Sequence, residues 1–127
     1  MNSNNLEKLK KKVLSSFKEK KFQEAIVNGE NLLKEGQNDA QLLFILGLAS
    51  INLQNFANAE NYFEKLILFK KTAENLYTLG NIQKKLKKFN IAINTFAEAI
   101  KLNPNFSEAY NNLGNTKKLI GQRDEAI

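Results

Sequence analysis

The chain has 127 residues, of which 19 are Lys or Arg and 13 are Asp or Glu, so its formal net charge is +6. It contains no Cys and no His, which excludes disulfides, thiolate metal sites, cysteine nucleophiles and histidine general bases. Phosphate-binding and dinucleotide-binding glycine patterns are also absent, and we expect no cofactor and no enzyme activity. With 43% hydrophobic residues, the chain can bury the core of one soluble domain.

The first predicted helix runs from residue 6 to about residue 20. Its apolar side chains are spaced three and four residues apart and form a single stripe: Leu6, Leu9, Val13 and Phe17. A second amphipathic helix contains Ala25, Ile26, Leu32 and Leu33. Gly36 stands where this helix should end, because glycine readily adopts the left-handed conformation that terminates helices.

Asp39 is a good N-cap for a third helix. This helix holds the most apolar stretch of the chain, residues 42–51. Ten residues are too few to cross a bilayer, so we expect a buried helix and no membrane span. In the next helix, Glu60 and Glu64 form a carboxylate pair one turn apart. They stand among Asn residues, and we expect them on a solvated face, away from the desolvated cleft that a catalytic pair needs.

Residues 73–106 contain the most regular pattern of small and apolar residues: Leu76, Leu79, Gly80, Ala92, Phe96, Ala99 and Pro104. Gly80 would lie on one helix and Ala92 on the facing side of the next. Because both residues lack bulk, the two helices can approach closely at this point. Pro104 cannot continue a helix and helps to end the second one.

The same pattern begins again 34 residues later, with four residues in the places of Leu76, Leu79, Gly80 and Ala92: Tyr110, Leu113, Gly114 and Ala126. Ser107 is a capping residue, and Gly121 is placed to make the turn into a second helix over residues 123–127. Five residues are too few for a stable helix. The fourth pair is therefore incomplete, and three apolar side chains would be left partly bare: Leu113, Leu119 and Ile120. We expect that the native protein continues beyond Ile127, or that another chain covers this edge, for example through self-association.

A period of 34 residues with small residues at these positions resembles the tetratricopeptide repeat (TPR) family. The resemblance implies an all-α fold, a right-handed α-solenoid of antiparallel helix pairs, with about three and a half repeats in one TPR domain over residues 1–127. The repeats would span residues 6–39, 40–72, 73–106 and, truncated, 107–127. The first is degenerate: Lys12 and Val13 stand where Leu and Gly are expected, and Gly29 stands where Phe is expected.

In this family the first helix of each pair lines a concave groove that holds a peptide or a partner protein. The resemblance therefore implies a protein–protein interaction module, an adaptor or scaffold in the cytoplasm. The groove positions change along the chain from apolar to amide- and lysine-rich: Phe44, Leu48, Tyr77, Asn81, Lys84, Asn111, Asn112, Asn115 and Lys118. Asn suits an extended peptide because its side chain both donates and accepts hydrogen bonds. Alternatively, repeat one buries Phe44 and Leu48, and the Asn residues only reflect composition.

Two subtypes of the family match these positions only in part. Asn81 and Asn112 match the two Asn positions of the carboxylate clamp in chaperone-binding TPR domains, but Tyr77 stands where the first Lys belongs. Asn112 also occupies the position of the Asn ladder in TPR arrays attached to protein glycosyltransferases, but Thr78 and Ile45 do not continue it. The incomplete last repeat suggests an alternative function: the N-terminal TPR portion of a larger enzyme, such as a glycosyltransferase or sulfotransferase, whose catalytic domain lies beyond residue 127.

Lysine supplies nearly all of the positive charge, since Arg123 is the only arginine. Nucleic-acid recognition favours arginines interleaved with aromatic residues, so we do not expect nucleic acid as a partner. Lysine clusters at residues 8–12, 18–21 and 84–88 leave a further alternative open, a salt-sensitive contact with a polyanion or anionic surface.

Overall fold

The computed structural model describes residues 2–125, which form seven helices and no strands. The helices are α1 (Ser3–Lys18), α2 (Phe22–Lys34), α3 (Ala40–Asn52), α4 (Phe56–Phe69), α5 (Ala73–Lys85), α6 (Phe89–Leu102) and α7 (Ser107–Glu125). They belong to two compact units that are divided between Phe69 and Lys70. In the first unit α1 packs on α2 and α3 packs on α4, and in the second unit α5 packs on α6 and α6 packs on α7.

Side-chain caps begin the first helices of the middle two pairs. At the start of α3, Asp39 accepts a hydrogen bond from the backbone N–H of Leu42 at 2.8 Å, as the sequence predicts. At the start of α5, Thr72 accepts one from the N–H of Asn75 at 3.1 Å. The predicted buried helix over residues 42–51 lies within α3 and is largely buried. Within residues 2–125, none of the helices has the length and apolar character needed to cross a membrane.

In two of the pairs, a glycine of the first helix packs against a phenylalanine of the second helix. A Cβ atom added at Gly47 of α3 would lie 2.4 Å from Phe63 of α4, and one added at Gly80 of α5 would lie 2.6 Å from Phe96 of α6. Both rings are completely buried, and so is Ala92, the small residue predicted on α6. Since no side chain fits between the ring and the glycine, these residues set how closely the paired helices approach.

The degenerate first pair is packed differently. Gly29 of α2 stands where α4 and α6 carry a phenylalanine, and Leu46 of α3 occupies the space beside it. A Cβ atom added at Gly29 would lie 2.5 Å from the Leu46 side chain. On α1, Val13 replaces the glycine of the other pairs and is buried. The change from Phe to Gly in the first repeat therefore makes room for a side chain of the next helix.

The three turns that lead from a first helix to a second helix share one backbone conformation. Lys20, Gln54 and Lys87 have φ angles of 62°, 59° and 62°. In each turn the following residue donates its backbone N–H five positions back, as Lys88 does to Gln83 at 2.9 Å. This is the Schellman motif. Its left-handed position is most easily occupied by glycine, yet all three turns use a longer residue.

Gly36, which the sequence predicts to end α2, has a φ of 80° and follows directly after the C-cap residue Glu35. Its backbone N–H donates to the carbonyl of Leu33 at 3.0 Å. The end of α2 thus uses the same motif with the residue that fits it best.

The last helix differs from the prediction. Gly121 stands 34 residues after Lys87 and is predicted to make the same turn, but α7 continues through it to Glu125. Among the described residues no second helix packs on α7, and continuing the helix retains backbone hydrogen bonds that a turn would break. Ala126 and Ile127, predicted within the second helix, lie outside the described residues.

The prediction that Glu60 lies on a solvated face is wrong. Glu60 is buried with 8% of its surface exposed, whereas Glu64 is exposed. Tyr62, also buried, donates its hydroxyl hydrogen to Glu30 of α2. Polar side chains of α4 are thus part of the packing within the first unit, and the two carboxylates do not share one environment.

Candidate functional site

The second unit contains an open cavity of about 660 Å³. It lies beside α5, the turn into α6, and α7. Its walls combine amide, lysine, tyrosine and apolar side chains: Tyr77, Asn81, Lys84, Lys85, Lys87, Phe89, Asn112 and Leu119. A concave surface with a few convergent polar groups is the usual form of a ligand site.

Three of these side chains are joined by hydrogen bonds. Asn112 donates from Nδ2 to the hydroxyl oxygen of Tyr77 at 2.8 Å, and its Oδ1 accepts from Lys84 Nζ at 3.4 Å. Nδ2 also lies 3.2 Å from the backbone oxygen of Glu108, one turn earlier on α7. The amide of Asn112 is therefore used within the unit, and it holds a hydroxyl group and an ammonium group of α5 near each other. Because the Tyr77 oxygen accepts, its hydrogen can be donated to a ligand.

Aromatic packing fixes the ring of Tyr77. Its centre lies 4.9 Å from that of Phe106 and 6.0 Å from that of Phe96. Phe96 is itself held over Gly80. The tyrosine is thus positioned by the core on one side and by Asn112 on the other.

All charged groups that line the cavity are ammonium groups: Lys84, Lys85 and Lys87. Beside the cavity, the Arg123 guanidinium lies 5.4 Å from the centre of the Phe89 ring, which is the geometry of a cation–π contact. A concave surface with charges of one sign attracts ligands of the opposite sign. The electrostatics of this site therefore favour an anionic ligand.

The structure brings together part of the predicted groove. Tyr77, Asn81, Lys84 and Asn112 line the cavity. The other predicted residues of α7 are exposed and are not part of its lining: Asn111, Asn115 and Lys118.

The two apolar groove residues, Phe44 and Leu48, belong to the first unit. Phe44 is 40% exposed, and its ring centre lies 6.0 Å from that of Phe63. Leu48 is half-buried. Phe44 has the same relationship to Phe63 as Tyr77 has to Phe96, but repeat one does not bury it. Its role in binding stays a prediction.

Four residues of the cavity lie outside the predicted groove positions: Lys85, Lys87, Phe89 and Leu119. The lysines belong to the run at residues 84–88, which by composition looks like solvated surface. Phe89 had a clearer signal, because a phenylalanine follows each of the three turns, at Phe22, Phe56 and Phe89.

The groups at this site are suited to binding. The cavity offers ammonium, hydroxyl and amide hydrogens together with apolar contact area. In the part of the chain that the structure describes, no group of three or more acidic side chains is arranged to hold a metal ion.

Two family models match the sequence. Residues 40–72 match one described as tetratricopeptide repeat, and residues 80–121 match one described as TPR repeat. No curated protein matches the sequence significantly.

Several solved structures have a similar fold. The crystal structure of MamA is 26% identical, with a TM-score of 0.78 over 88% of this chain and 66% of that one. YrrB, titled a TPR protein with an unusual peptide-binding site, is 20% identical, with a TM-score of 0.80 over 91% of this chain and 60% of that one. The first TPR of Spaghetti (RPAP3), bound to the HSP90 peptide SRMEEVD, is 23% identical, with a TM-score of 0.77 over 95% and 97%.

The chain thus spans slightly less than two thirds of the length of MamA and less of YrrB. The helix pairs, the two matched family models and the likeness to these TPR structures confirm the predicted fold class, an all-α solenoid of about three and a half repeats. This chain belongs to the tetratricopeptide repeat family.

Proposed function

We propose that the chain is a protein-interaction module and that the cavity of the second unit binds an extended, acidic peptide segment. The observation that carries the proposal is the hydrogen-bonded set of Tyr77, Asn112 and Lys84 in the wall of a cavity whose charged lining groups are all lysines. Such a preorganised set binds a ligand without first having to be ordered.

The similar structures support this choice of ligand. YrrB is titled as having a peptide-binding site, and the peptide bound to the first TPR of Spaghetti, SRMEEVD, has three acidic side chains near its end. In the present chain Tyr77 replaces the first Lys of the carboxylate clamp, so acidic side chains would depend on other lysines. Lys84 and Lys85 lie in the same wall.

A bound peptide would use two kinds of contact. Asn81 would pair with the peptide backbone, because its amide both donates and accepts. Lys84 would bond a carboxylate, and a hydrogen bond with charged partners contributes about 1.5–3 kcal/mol. Asn112 would position Tyr77 and Lys84, with no direct contact required. The exposed residues of α7 remain proposed contacts for a longer peptide: Asn111, Asn115 and Lys118.

The test is a calorimetric titration of the full chain with SRMEEVD and with its uncharged counterpart SRMQQVN. We expect the acidic peptide to bind more tightly, by about tenfold or more, since 1.4 kcal/mol corresponds to a factor of ten. The double variant Asn81→Ala, Lys84→Ala should lose most of this preference. Raising the salt concentration should reduce it as well.

The matched control is Lys65→Ala, which removes an exposed lysine of α4 in the other unit. It should bind both peptides as the unmodified chain does. Equal affinity for the two peptides, or an unchanged preference in the double variant, would contradict the proposed site.

A further inference from the structure

One face of α7 carries positions that are buried in the other first helices. In α3 and α5 these positions are all buried, and they hold Leu43, Leu46, Gly47 and Ser50 in α3 and Leu76, Leu79, Gly80 and Gln83 in α5. The same positions of α7 hold Tyr110, Leu113, Gly114 and Lys117. Of these four, only Leu113 is even half-buried, and Tyr110 is 50% exposed. We call these four residues the open face of α7.

Gly114 is the centre of this face. A Cβ atom added at Gly114 would have no atom within 4 Å, whereas the equivalent Gly47 and Gly80 are covered by Phe63 and Phe96. The covering rings come from the second helix of each pair. The open face therefore has the register of an interface that is formed twice elsewhere in the same chain, but its covering ring is absent among the described residues.

We propose that the open face of α7 docks a helix of a partner protein, in the way that α6 packs on α5. The partner helix would place a phenylalanine on Gly114. One turn earlier it would carry a small residue, as Ala92 precedes Phe96 in α6. The argument rests on continuity with the interfaces inside the chain, because the same residue positions accept the same kind of helix there.

Lys117 indicates the charge of the partner helix. The equivalent residue of α5, Gln83, accepts a hydrogen bond at 2.7 Å from Thr95, which directly precedes Phe96. Lys117 can only donate. We therefore expect Asp or Glu directly before the phenylalanine of the partner, in the pattern Ala-x-x-Glu-Phe.

The probe is a synthetic peptide with the sequence of α6 and glutamate in place of Thr95, FNIAINEFAEAIKL. An isolated helix of this length is marginally stable, so we expect weak binding, which nuclear magnetic resonance detects well. Titrated into the isotope-labelled full chain, the peptide should shift the amide signals of Gly114 and its neighbours on α7. A peptide that also carries Phe96→Ala should bind about tenfold more weakly or less, given what burial of a phenylalanine contributes.

Two variants of the chain test the docking site itself. Gly114→Leu should abolish binding by filling the place of the ring, and it does not threaten the fold because that place is open. Gln122→Leu adds the same side chain at another exposed position of α7 and should bind normally. Lys117→Ala should weaken binding of the glutamate peptide but not of the unmodified α6 sequence.

Two results would overturn the proposal. One is a chain that stays monomeric in light scattering and shows no shifts with either peptide. The other is a chain that dimerises through this face and becomes monomeric with Gly114→Leu, because a second copy would then be the occupant. Binding of SRMEEVD in the cavity should be unaffected by Gly114→Leu, so this test is independent of the proposed function.

Discussion

The ring of Phe96 lies directly over Gly80, so that a Cβ atom on residue 80 would be 2.6 Å from the ring. Phe63 and Gly47 have the same relationship one repeat earlier, at 2.4 Å. A completely buried ring has close-packed neighbours on its other sides and little room to withdraw. Each glycine is therefore part of the packing of its helix pair.

The first prediction is that Gly80→Ala destabilises the chain. The added methyl group must displace the Phe96 ring, and such overpacking typically costs about 1–3 kcal/mol. Alanine is the better helix former by about 1 kcal/mol, which offsets only part of the loss. Urea unfolding followed by circular dichroism should show a lower free energy of unfolding.

The control is Gly114→Ala, at the equivalent position of α7, where a Cβ atom meets nothing within 4 Å. Here only the gain in helix propensity applies, so the free energy of unfolding should rise by up to about 1 kcal/mol. A shift of both variants in the same direction would contradict the role assigned to the rings.

The second prediction concerns the degenerate repeat. Gly29→Phe would restore the residue that the family pattern expects, yet it should destabilise the first unit by about 3 kcal/mol or more. The reason is that Leu46 already occupies the space beside Gly29. Thermal unfolding of the variant measures the loss.

Leu46→Ala provides the internal check. Alone it should cost about 2–5 kcal/mol, as truncation of a buried leucine does. Combined with Gly29→Phe, the loss should be smaller than the two single losses together by about 1 kcal/mol or more. Additive losses would mean that the two residues do not compete for the same space.

The third prediction concerns the left-handed turns. Gln54 has a φ of 59° and is exposed, so Gln54→Gly should relieve about 1–2 kcal/mol of backbone strain. The greater freedom of glycine in the unfolded chain offsets about 0.5–1 kcal/mol. The free energy of unfolding should therefore rise by up to about 1 kcal/mol in urea titrations.

The opposite substitution tests the same reasoning at the end of α2. Gly36 has a φ of 80° and open space around it, so a methyl group there affects only the backbone. Gly36→Ala should lower the free energy of unfolding by about 1 kcal/mol. No change in either variant would show that the turns relax without strain.

The fourth prediction concerns the hydrogen bonds in the cavity wall. Asn112→Ala and Tyr77→Phe each remove the 2.8 Å bond between these residues, and each should lower the free energy of unfolding by about 0.5–1.5 kcal/mol. The double variant should lose less than the sum, because the bond can be broken only once. Asn111→Ala, at the exposed neighbouring position, should stay within about 0.5 kcal/mol of the unmodified chain.

Much of the fold could be predicted because several residues allow only one physical reading. Gly36 at the end of α2, Asp39 before α3, and Gly80 opposite Ala92 each serve a local need that recurs in every helix pair. The wall formed by Tyr77 and Asn112 followed from the resemblance to the family, because groove positions are set by helix register.

The errors have a common cause, since each depends on what packs on the residue. Gly121 fits both a helix and a turn, and the choice depends on whether a second helix covers α7. Glu60 has the sequence surroundings of a surface residue, but its burial is decided by other elements of the first unit. Lys85 and Lys87 reach the cavity from the end of α5 and the turn after it, which no helix-periodic pattern describes.

The two glycines inside α7 have a consequence for the rates of local opening. Each weakens a helix interior by about 1 kcal/mol relative to alanine, and the open face contributes little burial to offset this. Amide hydrogens near Gly114 and Gly121 should therefore exchange with solvent faster than the equivalent ones near Gly80 in α5. A helix docked on Gly114 would slow this exchange, so its arrival could be followed with a deuterium clock even where the backbone of α7 does not move.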